Sequence, residues 1–499
     1  MTRTDPSLIQ LNRYRMKPDL DRHFEAALDG NDARLLVGGF TFFTAVADDL
    51  ARVGPAGFVY LASWNCEVDL GCFPGGETLR AKLAHLAGTG TEVRMQLWAA
   101  NPITGAVGPL RYHPLVGLLA SLAQRQFKPA VNNAVAVAAV NAMPGGFGFL
   151  DDQHATFGSH HQKIIVVHTG TELVAYVGGV EFTDDRLFHV SNGAPLFDVS
   201  VRITGPGAQR ILTTFAERWA AHPTGAANPL KRVGLAASGG PGGSVRIQVG
   251  HTYAAGFPFA GPIRTASELT AQAILTSRKY FYMEDQYFVG DPLLTAAIMT
   301  VLARKDVSVL GIVVIAAEDS VGDLPDVGFR RRAFIGPIVA ANPGRFLVFE
   351  AVGDDGTSIG DRAYVHSKLT LVDDEALLIG SMNSSRRSWT HDSEVSASLV
   401  DVNGPAGTGG APGFAKATRI ELWQRHLRGI WSPPVPIEPL GEALGAWTTA
   451  ATGTPGLAVR PYPPAGSVAV RPWLPLSPIA SALLQDPLLD LYWDVADPR

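Results

Sequence analysis

The sequence predicts an α/β protein of two similar halves, each a mixed β-sheet flanked by helices, packed as a pseudo-twofold pair with a site between them. Three observations support this. The chain has 499 residues, too many for one ordinary core. Segments with helical and strand periodicity alternate along it. Segments of the first half recur in the second half in the same order, which indicates an internal repeat.

The alternation of elements is clear in both halves. In the first half, FTFFTAVADDLARVG is typical of a helix and FVYLASWN of a strand, and ETLRAKLAHLAGTG followed by TEVRMQLWAA gives a second such pair. The order returns later in ELTAQAILTSRK, YFYMEDQYF, DPLLTAAIMTVLARK and VSVLGIVVIAA.

The repeat sets the predicted domain organisation. HHQKIIVVHTGTELVAYVGG matches VHSKLTLVDDEALLIGS, and FDVSVRITG followed by a helical segment matches SEVSASLVD followed by another. AASGGPGGS, at residues 236–244, is typical of a flexible connection. We predict an N-terminal half over residues 1–240, a C-terminal half over 241–432 and a Pro-rich extension over 433–499, to which no chemistry is assigned.

Composition excludes several classes of protein. The formal net charge is −5, which argues against a dedicated nucleic-acid binder. The spacing of Cys66 and Cys72 matches no common zinc site, so we expect two reduced thiols in a cytoplasmic protein. The N-terminal residues lack the apolar segment of a secretory signal, and we expect no transmembrane anchor. Any contact with a membrane is expected from its surface.

Two copies of one short motif carry the predicted chemistry. His161 and Lys163 precede one apolar run, and His366 and Lys368 precede another. Residues two apart on a strand share a face, so each His lies beside its Lys. A turn after each run, TGTE or DDE, returns the chain to that edge, where Glu181 or Asn383 ends the second strand.

Two imidazoles and two cations that converge on one point suit transfer at a phosphate diester. One imidazole attacks phosphorus, the other protonates the departing alcohol, and the lysines neutralise the phosphoryl oxygens without a metal. Asp198 and Glu394 stand at equivalent places in the repeat, and each is expected to orient one histidine. The residues alone do not decide which histidine attacks.

These residues have two other interpretations. A single His-x-Lys before an apolar run is more often a surface strand edge than a site, but two matched copies favour a catalytic origin. His154, His160 and His168 also crowd the first copy, as metal ligands would. His160 and His161 are neighbours on a strand and point to opposite faces, so we predict no metal and no cofactor.

With both copies in view, the chain resembles the phospholipase D superfamily, whose mark is a duplicated HxKxxxxD followed by GS or GG. NSSRRSWTHDSEVSASLVD, YFYMEDQYF, AYVGGVEF and PLFDVSVRITGP are similar to its phospholipase branch. The resemblance extends from about residue 35 to residue 430. The second copy fits the pattern at His366, Lys368, Asp373, Gly380, Ser381 and Asn383.

The resemblance implies a role for each residue. His161 is expected to be the nucleophile that forms a phosphohistidine, and His366 the acid that protonates the leaving group and then activates water or an alcohol. The phosphate is expected to be bound by Lys163, Lys368 and Asn383, and the histidines to be oriented by Asp198 and Glu394. Asp373, Gly380, Ser381 and His168 are expected to support the motif.

The first copy departs from the family pattern at two positions. Glu181 stands where many relatives have Asn, and a carboxylate contacts phosphate poorly, so it is assigned no phosphate-binding role. His168 replaces the motif Asp, at an odd offset from His161 that points to the opposite face of the strand. We expect His168 to affect stability or rate and to leave the mechanism intact.

The leading functional prediction is a phospholipase D that hydrolyses glycerophospholipids such as phosphatidylcholine to phosphatidic acid and a head-group alcohol. Transfer to another alcohol, transphosphatidylation, is a natural side activity. The substrate is expected at a membrane surface that the protein contacts peripherally. GHTYAAGFPFAG, at residues 250–261, suits either a membrane-touching lid or an ordinary packed loop.

Three alternatives remain open. The first is a metal-independent nuclease, although the one tight basic run, FRRRAF at residues 329–334, is typical of a solvated helix face. The second is a synthase that condenses two phospholipids. The third is a catalytically impaired module that binds phosphate head groups. The sequence does not indicate the oligomeric state.

Overall fold

The computed structural model describes most of the chain. The described residues are 27–99, 114–155, 158–187, 196–232, 242–321, 327–352, 364–407, 411–427, 437–453 and 457–463. Two sequence-based predictions fall largely outside them: the flexible connection at 236–244 and the Pro-rich extension at 433–499.

Two mixed β-sheets form the centre of the molecule. The first has seven strands in the order β2-β9-β7-β6-β3-β4-β5. Their bounds are Asp32–Val37 (β2), Phe58–Ser63 (β3), Glu92–Trp98 (β4), Gly146–Asp151 (β5), Ile164–His168 (β6), Leu173–Gly178 (β7) and Val199–Thr204 (β9).

The second sheet has nine strands in the order β1-β10-β17-β16-β15-β11-β12-β13-β18. Their bounds are Leu28–Gly30 (β1), Gly243–Thr252 (β10), Tyr280–Asp285 (β11), Leu310–Ile315 (β12), Phe346–Ala351 (β13), Leu369–Val372 (β15), Ala376–Gly380 (β16), Glu394–Asp401 (β17) and Val459–Pro461 (β18). A separate two-stranded parallel pair joins the halves through Leu196–Phe197 (β8) and Tyr364–Val365 (β14).

The two sheets share one strand order. When β1 and β18 are set aside, each strand of the second sheet occupies the place of its counterpart in the first. In both sheets three neighbouring strands run parallel and the remaining pairs are antiparallel. The predicted fold class, two similar mixed sheets flanked by helices, is confirmed.

Eleven helices are described around the sheets. Their bounds are Gly39–Ala51 (α1), Leu79–Gly88 (α2), Pro114–Asn141 (α3), Pro206–Ala221 (α4), Pro223–Ala227 (α5), Thr265–Thr276 (α6), Pro292–Leu302 (α7), Val327–Ala341 (α8), Arg386–Thr390 (α9), Phe414–His426 (α10) and Leu440–Ala450 (α11). None of these described helices combines the length and apolar character that a membrane crossing requires.

One continuous core joins the inner faces of the two sheets. On β6, Ile164 and Val166 belong to this shared core, whereas Ile165 and Val167 belong to the core between the first sheet and its outer helices. The IIVV run is apolar throughout because both faces of its strand are buried. Buried residues from both sheets, such as Val201 and Leu399, lie in the shared core. The halves therefore form one packed unit.

The ends of the described chain cross the predicted boundaries. β1 lies within the segment assigned to the first half, yet it pairs with β10 in the second sheet. β18 lies within the predicted C-terminal extension and pairs with β13. The boundaries at residues 240 and 432 stay predictions. The sheets show that both flanking segments stabilise the second half.

Two minor predictions meet the structure differently. The first residues of GHTYAAGFPFAG continue β10, and its later aromatic residues, Phe257 and Phe259, are half-buried, which favours the packed-loop interpretation over a lid. The solvated-face interpretation of FRRRAF is wrong for Arg331. That side chain is fully buried and donates hydrogen bonds to the carbonyl oxygens of Gln286, Tyr287 and Ala316 at 2.5, 2.5 and 2.9 Å.

Candidate active site

The candidate site lies where the two hairpins β6–β7 and β15–β16 meet between the sheets. His161 and His366 line one cavity of about 520 Å³, a volume suited to a small organic ligand. The other residues along its wall are Trp64, Asn65, Glu67, Lys128, Pro129, Glu181, Thr183, Asp184, Asp185, Arg186, Gln286, Tyr287 and Tyr364. The structure thus brings both motif histidines to one space.

The carboxylate that holds each histidine comes from the other half of the chain. His161 Nδ1 lies 3.0 Å from both carboxylate oxygens of Glu394, and His366 Nδ1 lies 2.8 Å from Asp198 Oδ2. Main-chain bonds repeat the exchange: His161 N–H donates to the carbonyl of Ser393, and His366 N–H to that of Phe197. Each imidazole is therefore fixed in orientation, with Nδ1 engaged and Nε2 left for chemistry.

Burial controls the charge of these groups. Burial, and then a nearby cation, holds the pKa of both imidazoles well below the ordinary value; the cation is Lys163 for His161 and Arg186 for His366. Burial, and then the nearby carboxylate of Asp392, raises the pKa of Glu394 well above its usual range. Burial also raises the pKa of Asp198 to about 6, an effect that Arg186 opposes. Both histidines are neutral in the resting site.

The glycine and serine after the return strands explain the GG and GS of the two copies. Ser381 Oγ donates to Glu394 Oε2 at 2.5 Å, so this hydroxyl helps to hold the carboxylate in the imidazole–carboxylate pair, or dyad, of His161 and Glu394. The equivalent position is Gly179, where an added Cβ would lie 2.1 Å from Asp198 Oδ1. A side chain at position 179 would therefore displace the carboxylate that holds His366.

Each motif lysine donates a hydrogen bond to the main-chain carbonyl of its own motif histidine. Lys163 Nζ donates to the carbonyl of His161 at 3.2 Å and lies 3.6 Å from Glu181 Oε2. Lys368 Nζ donates to the carbonyl of His366 and, at 3.2 Å, to Gln286 Oε1. Burial lowers the pKa of Lys368 to about 7.

Asn383 lies three residues after the end of β16 and has a side-chain oxygen that no protein group uses among the described residues. Its side-chain oxygen is buried and has no hydrogen-bond partner among the described residues. A buried amide without a partner costs free energy unless a ligand or water satisfies it. Rotation of the amide would present either its oxygen or its NH₂ to a phosphate.

The last positions of the two motif copies, Asp373 and His168, have different surroundings. Asp373 accepts hydrogen bonds from the backbone amides of Arg278, Lys279 and Tyr280 at 2.8, 2.8 and 3.0 Å. The equivalent His168 accepts one amide, that of Gly170 at 3.1 Å, and stacks on Phe58 with ring centroids 5.3 Å apart. Both ends lie at the turn of their hairpins and do not line the cavity.

The other histidines of the first copy do not gather around a metal. His160 precedes β6 and is fully buried, with Nδ1 3.4 Å from Asp151 Oδ2, whereas the imidazole of His161 faces Glu394. His154 hydrogen-bonds to two main-chain carbonyls. Among the described residues, no group of three or more His, Cys, Asp or Glu side chains is arranged to hold a metal ion. Cys66 and Cys72 are both buried as free thiols.

Sequence reasoning missed Arg186. This arginine lies in a 3₁₀ turn, Asp184–Arg186, and its Nη2 is 3.1 Å from both ring nitrogens of His366. Its Nε lies 3.2 Å from Asp198 Oδ2. A signal was available in EFTDDRLF, where a charged cluster directly follows Glu181, but comparison of the two motifs alone did not reach it.

Proteins with similar sequences and structures support the resemblance. No family model matches the chain. Cardiolipin synthase A of Pseudomonas putida is 29% identical over 246 residues, which cover 49% of this chain and 44% of that protein. Phospholipase D alpha 1 of Ricinus communis is 22% identical, over 74% of this chain and 62% of that protein. The chain is thus similar to curated enzymes named for cardiolipin synthesis and for phospholipase D, over about half to three quarters of its length.

The matches to curated relatives cover only part of the length of those proteins. Phospholipase D alpha 3 of Arabidopsis thaliana is 24% identical, over 55% of this chain and 49% of that protein. The chain thus spans about half the length of several curated relatives that it matches. The solved phosphatidylserine synthase of Haemophilus influenzae has a fold similar to that of this chain. Its TM-score is 0.50 at 14% identity, and the match covers 79% of this chain and 87% of that one.

Proposed function

We propose that the protein is a phospholipase D-type phosphodiesterase that acts on glycerophospholipids at a membrane surface. The observation that carries this proposal is the pair of reciprocal imidazole–carboxylate dyads on one cavity. The homologues named for phospholipase D and cardiolipin synthase point to phospholipids rather than nucleic acid.

The reaction follows from the positions of the dyads. His161, held by Glu394 through Nδ1, attacks phosphorus with the lone pair on Nε2 and displaces the head-group alcohol. His366, protonated once the anionic phosphate is bound, gives that alcohol its proton. Lys163, Lys368 and Asn383 bind the phosphoryl oxygens and stabilise the charge that develops on them.

The phosphohistidine is then released by the same groups in reverse. His366, now neutral, takes a proton from water or from an alcohol, and the resulting nucleophile breaks the P–N bond to His161. Water gives phosphatidic acid, and an alcohol gives a new phospholipid. Asp198 keeps His366 in one orientation through both steps.

The cavity wall fits a head group with a cationic end. Trp64, Tyr287 and Tyr364 lie along it, and aromatic faces attract quaternary ammonium groups. The carboxylates of Asp184 and Asp185 lie on the same wall. We therefore take phosphatidylcholine as the first substrate to test.

The decisive assay uses vesicles of phosphatidylcholine and phosphatidylglycerol with a little ethanol, after EDTA treatment, with products read by mass spectrometry. We expect phosphatidic acid and phosphatidylethanol. Their formation identifies the lipid substrate and the covalent intermediate together. If folded protein forms neither phosphatidic acid nor phosphatidylethanol, the proposal is refuted. Cleavage of oligonucleotides would then be tested.

The same assay separates a second candidate that the homologues favour. If the acceptor alcohol is phosphatidylglycerol, the product is cardiolipin, as the name of the Pseudomonas putida relative suggests. A predominance of cardiolipin over phosphatidic acid would identify a synthase that uses the same phosphohistidine.

The nucleophile is tested by substitution. His161→Asn is expected to lower kcat at least about 10³-fold, since it removes the attacking nitrogen. Wild type denatured in alkaline detergent should carry a phosphatidyl group that later acid treatment removes, and the variant should carry none. Arg80→Gln is the control, because Arg80 forms an exposed ion pair with Asp69. A phosphorylated His161→Asn protein would move the nucleophile to His366.

A further inference from the structure

The two halves of the site differ in charge, although their dyads match. Counted from the equivalent glycines Gly178 and Gly380, Glu181 corresponds to Asn383 and Arg186 to Ser388. One half therefore has a carboxylate and a guanidinium where the other has a neutral amide and a hydroxyl. Every one of these four side chains is buried.

Glu181 is fully occupied by protein groups. Its Oε2 accepts hydrogen bonds from Ser63 Oγ at 3.1 Å and from the Asn65 amide at 3.2 Å, and lies 3.6 Å from Lys163 Nζ. A carboxylate repels a phosphate anion and has no proton to donate to it. The first half therefore lacks the neutral donor that Asn383 supplies in the second half, and part of the charge on Lys163 is offset.

Arg186 is the donor that remains on this side. Asp185 fixes its guanidinium at one end, with Nη1 2.6 Å from Asp185 Oδ2. Nη2 lies 3.5 Å from Glu181 Oε1, a contact too long for a strong hydrogen bond. The guanidinium is almost fully buried and lies on the wall of the same cavity as both histidines.

Nη2 lies over the ring of His366, on the cavity that both motif histidines line. Equal distances of 3.1 Å to Nδ1 and Nε2 put the guanidinium against the face of the imidazole, outside the line along which Nε2 transfers a proton. His366 must reach the oxygen of the leaving group, so a donor on its face lies within reach of the non-bridging oxygens.

We propose that Arg186 is a third cationic ligand of the substrate phosphate and supplies the hydrogen bond that Glu181 cannot give. The proposal rests on the proposed function, since it assumes that a phosphodiester binds between His161 and His366. The phosphate site is then unsymmetrical. The first half contributes Arg186 and Lys163, with the charge of Lys163 partly offset by Glu181, and the second half contributes Lys368 and Asn383.

The test measures oxyanion binding without a lipid. Tungstate, a phosphate analogue, is titrated into the full-length protein by calorimetry. Arg186→Gln is expected to weaken tungstate binding about 10- to 100-fold, the loss of one charge-assisted hydrogen bond. Arg186→Lys, which keeps the charge but not the fork geometry, is expected to lose roughly 3- to 10-fold. Arg80→Gln, the exposed-pair control, should bind as wild type does.

A double variant tests whether a lower affinity in Arg186→Gln comes from the lost ligand or from a buried charge that has lost a partner. Arg186→Gln removes one of the two cations beside Glu181 and leaves Lys163, whereas Glu181→Gln/Arg186→Gln replaces both charged side chains with neutral groups. If Arg186 is a ligand and Glu181 is not, the double variant loses affinity as the single variant does. Glu181→Gln alone should bind tungstate at least as tightly as wild type, because one negative charge has left the site.

Three outcomes would overturn the proposal or separate it from the proposed function. Unchanged tungstate affinity in Arg186→Gln, with a displaced pH profile of kcat, would show that Arg186 only positions His366 and Asp198. Absence of tungstate binding by wild type would also overturn it, and the lipid assay would still decide the function. Loss of tungstate binding in Arg186→Gln, with no lipid cleaved by wild type, would support the third ligand and refute the lipid substrate.

Discussion

At the scale of single residues, the charge of Lys368 is expected to depend on pH near neutrality. This lysine is buried, it donates to a carbonyl and to Gln286, and burial lowers its pKa to about 7. Only the protonated ammonium binds phosphate. The affinity of the site for an oxyanion therefore depends on pH through this residue.

The expected pH dependence has a defined sign. Tungstate affinity should be highest below pH 7 and fall as pH rises through about 7, because Lys368 loses its proton. In Lys368→Arg the guanidinium stays protonated, so the decline should be absent up to pH 9, although the affinity itself is lower. Calorimetric titrations from pH 6 to 9 measure both. An unchanged decline in the variant would assign the titration to another group.

The residues that the sequence could identify are those with a counterpart in the repeat. His161 and His366 were recognisable because each copy supports the other, and Asp198 and Glu394 stand at matching positions. Arg186 has no counterpart of its own kind, since Ser388 occupies the equivalent position. Its contact with His366 joins residues 180 positions apart, which no local pattern encodes.

At the scale of elements, the 3₁₀ turn Asp184–Arg186 depends on the start of α1. An added Cβ at Gly39 would lie 2.0 Å from the carbonyl oxygen of Arg186, and the amide of Gly38 donates to the carbonyl of Asp198 at 2.8 Å. The helix N-terminus therefore supports both the guanidinium and the carboxylate that surround His366. GGF in the sequence indicates only a helix start.

Gly39→Ala tests this support. The methyl group should displace the turn that carries Arg186 and lower kcat/KM about 10- to 100-fold, since shifts near 1 Å in a site have effects of this size. Circular dichroism should show a retained fold. Gly88→Ala, at the end of α2, is the matched control, because no atom lies within 4 Å of its added Cβ. Full activity in Gly39→Ala would mean that the turn can shift without consequence.

Elements also show where patterns mislead. The segment FRRRAF lies on α8 as expected, but Arg331 faces inward and holds the main chain at Gln286 and Tyr287, next to Lys368. A run of arginines predicts a solvated face because charges are rarely buried. Here three carbonyl acceptors satisfy one guanidinium, and those acceptors come from loops distant in sequence.

At the scale of the whole molecule, the shared core makes the two halves dependent on each other. The repeat predicted two sheets of one design, and their identical strand order shows how far that prediction extends. The pairing of β1 with β10 was not predictable, because LDG carries no strand pattern and no partner signal. The pseudo-twofold packing stays a prediction, which the exchange of dyad carboxylates supports.

A cut between the halves should leave the protein active. A protease site introduced within residues 233–241 allows cleavage after folding. We expect the two fragments to co-elute in size-exclusion chromatography and to keep most of the activity, because the core between the sheets and the exchanged dyads remain. The uncleaved variant is the control. Separation of the fragments with activity in either one would contradict a site built from both halves.

The exchanged dyads also constrain how such a chain can arise and change. In an ancestor with one copy of this unit, neither imidazole would meet its carboxylate within the same chain, so only two associated copies would form the site. Once duplication joined the copies, a substitution at Asp198 would be felt at His366 and one at Glu394 at His161. Each half of the chain therefore constrains substitution at the dyad positions of the other half.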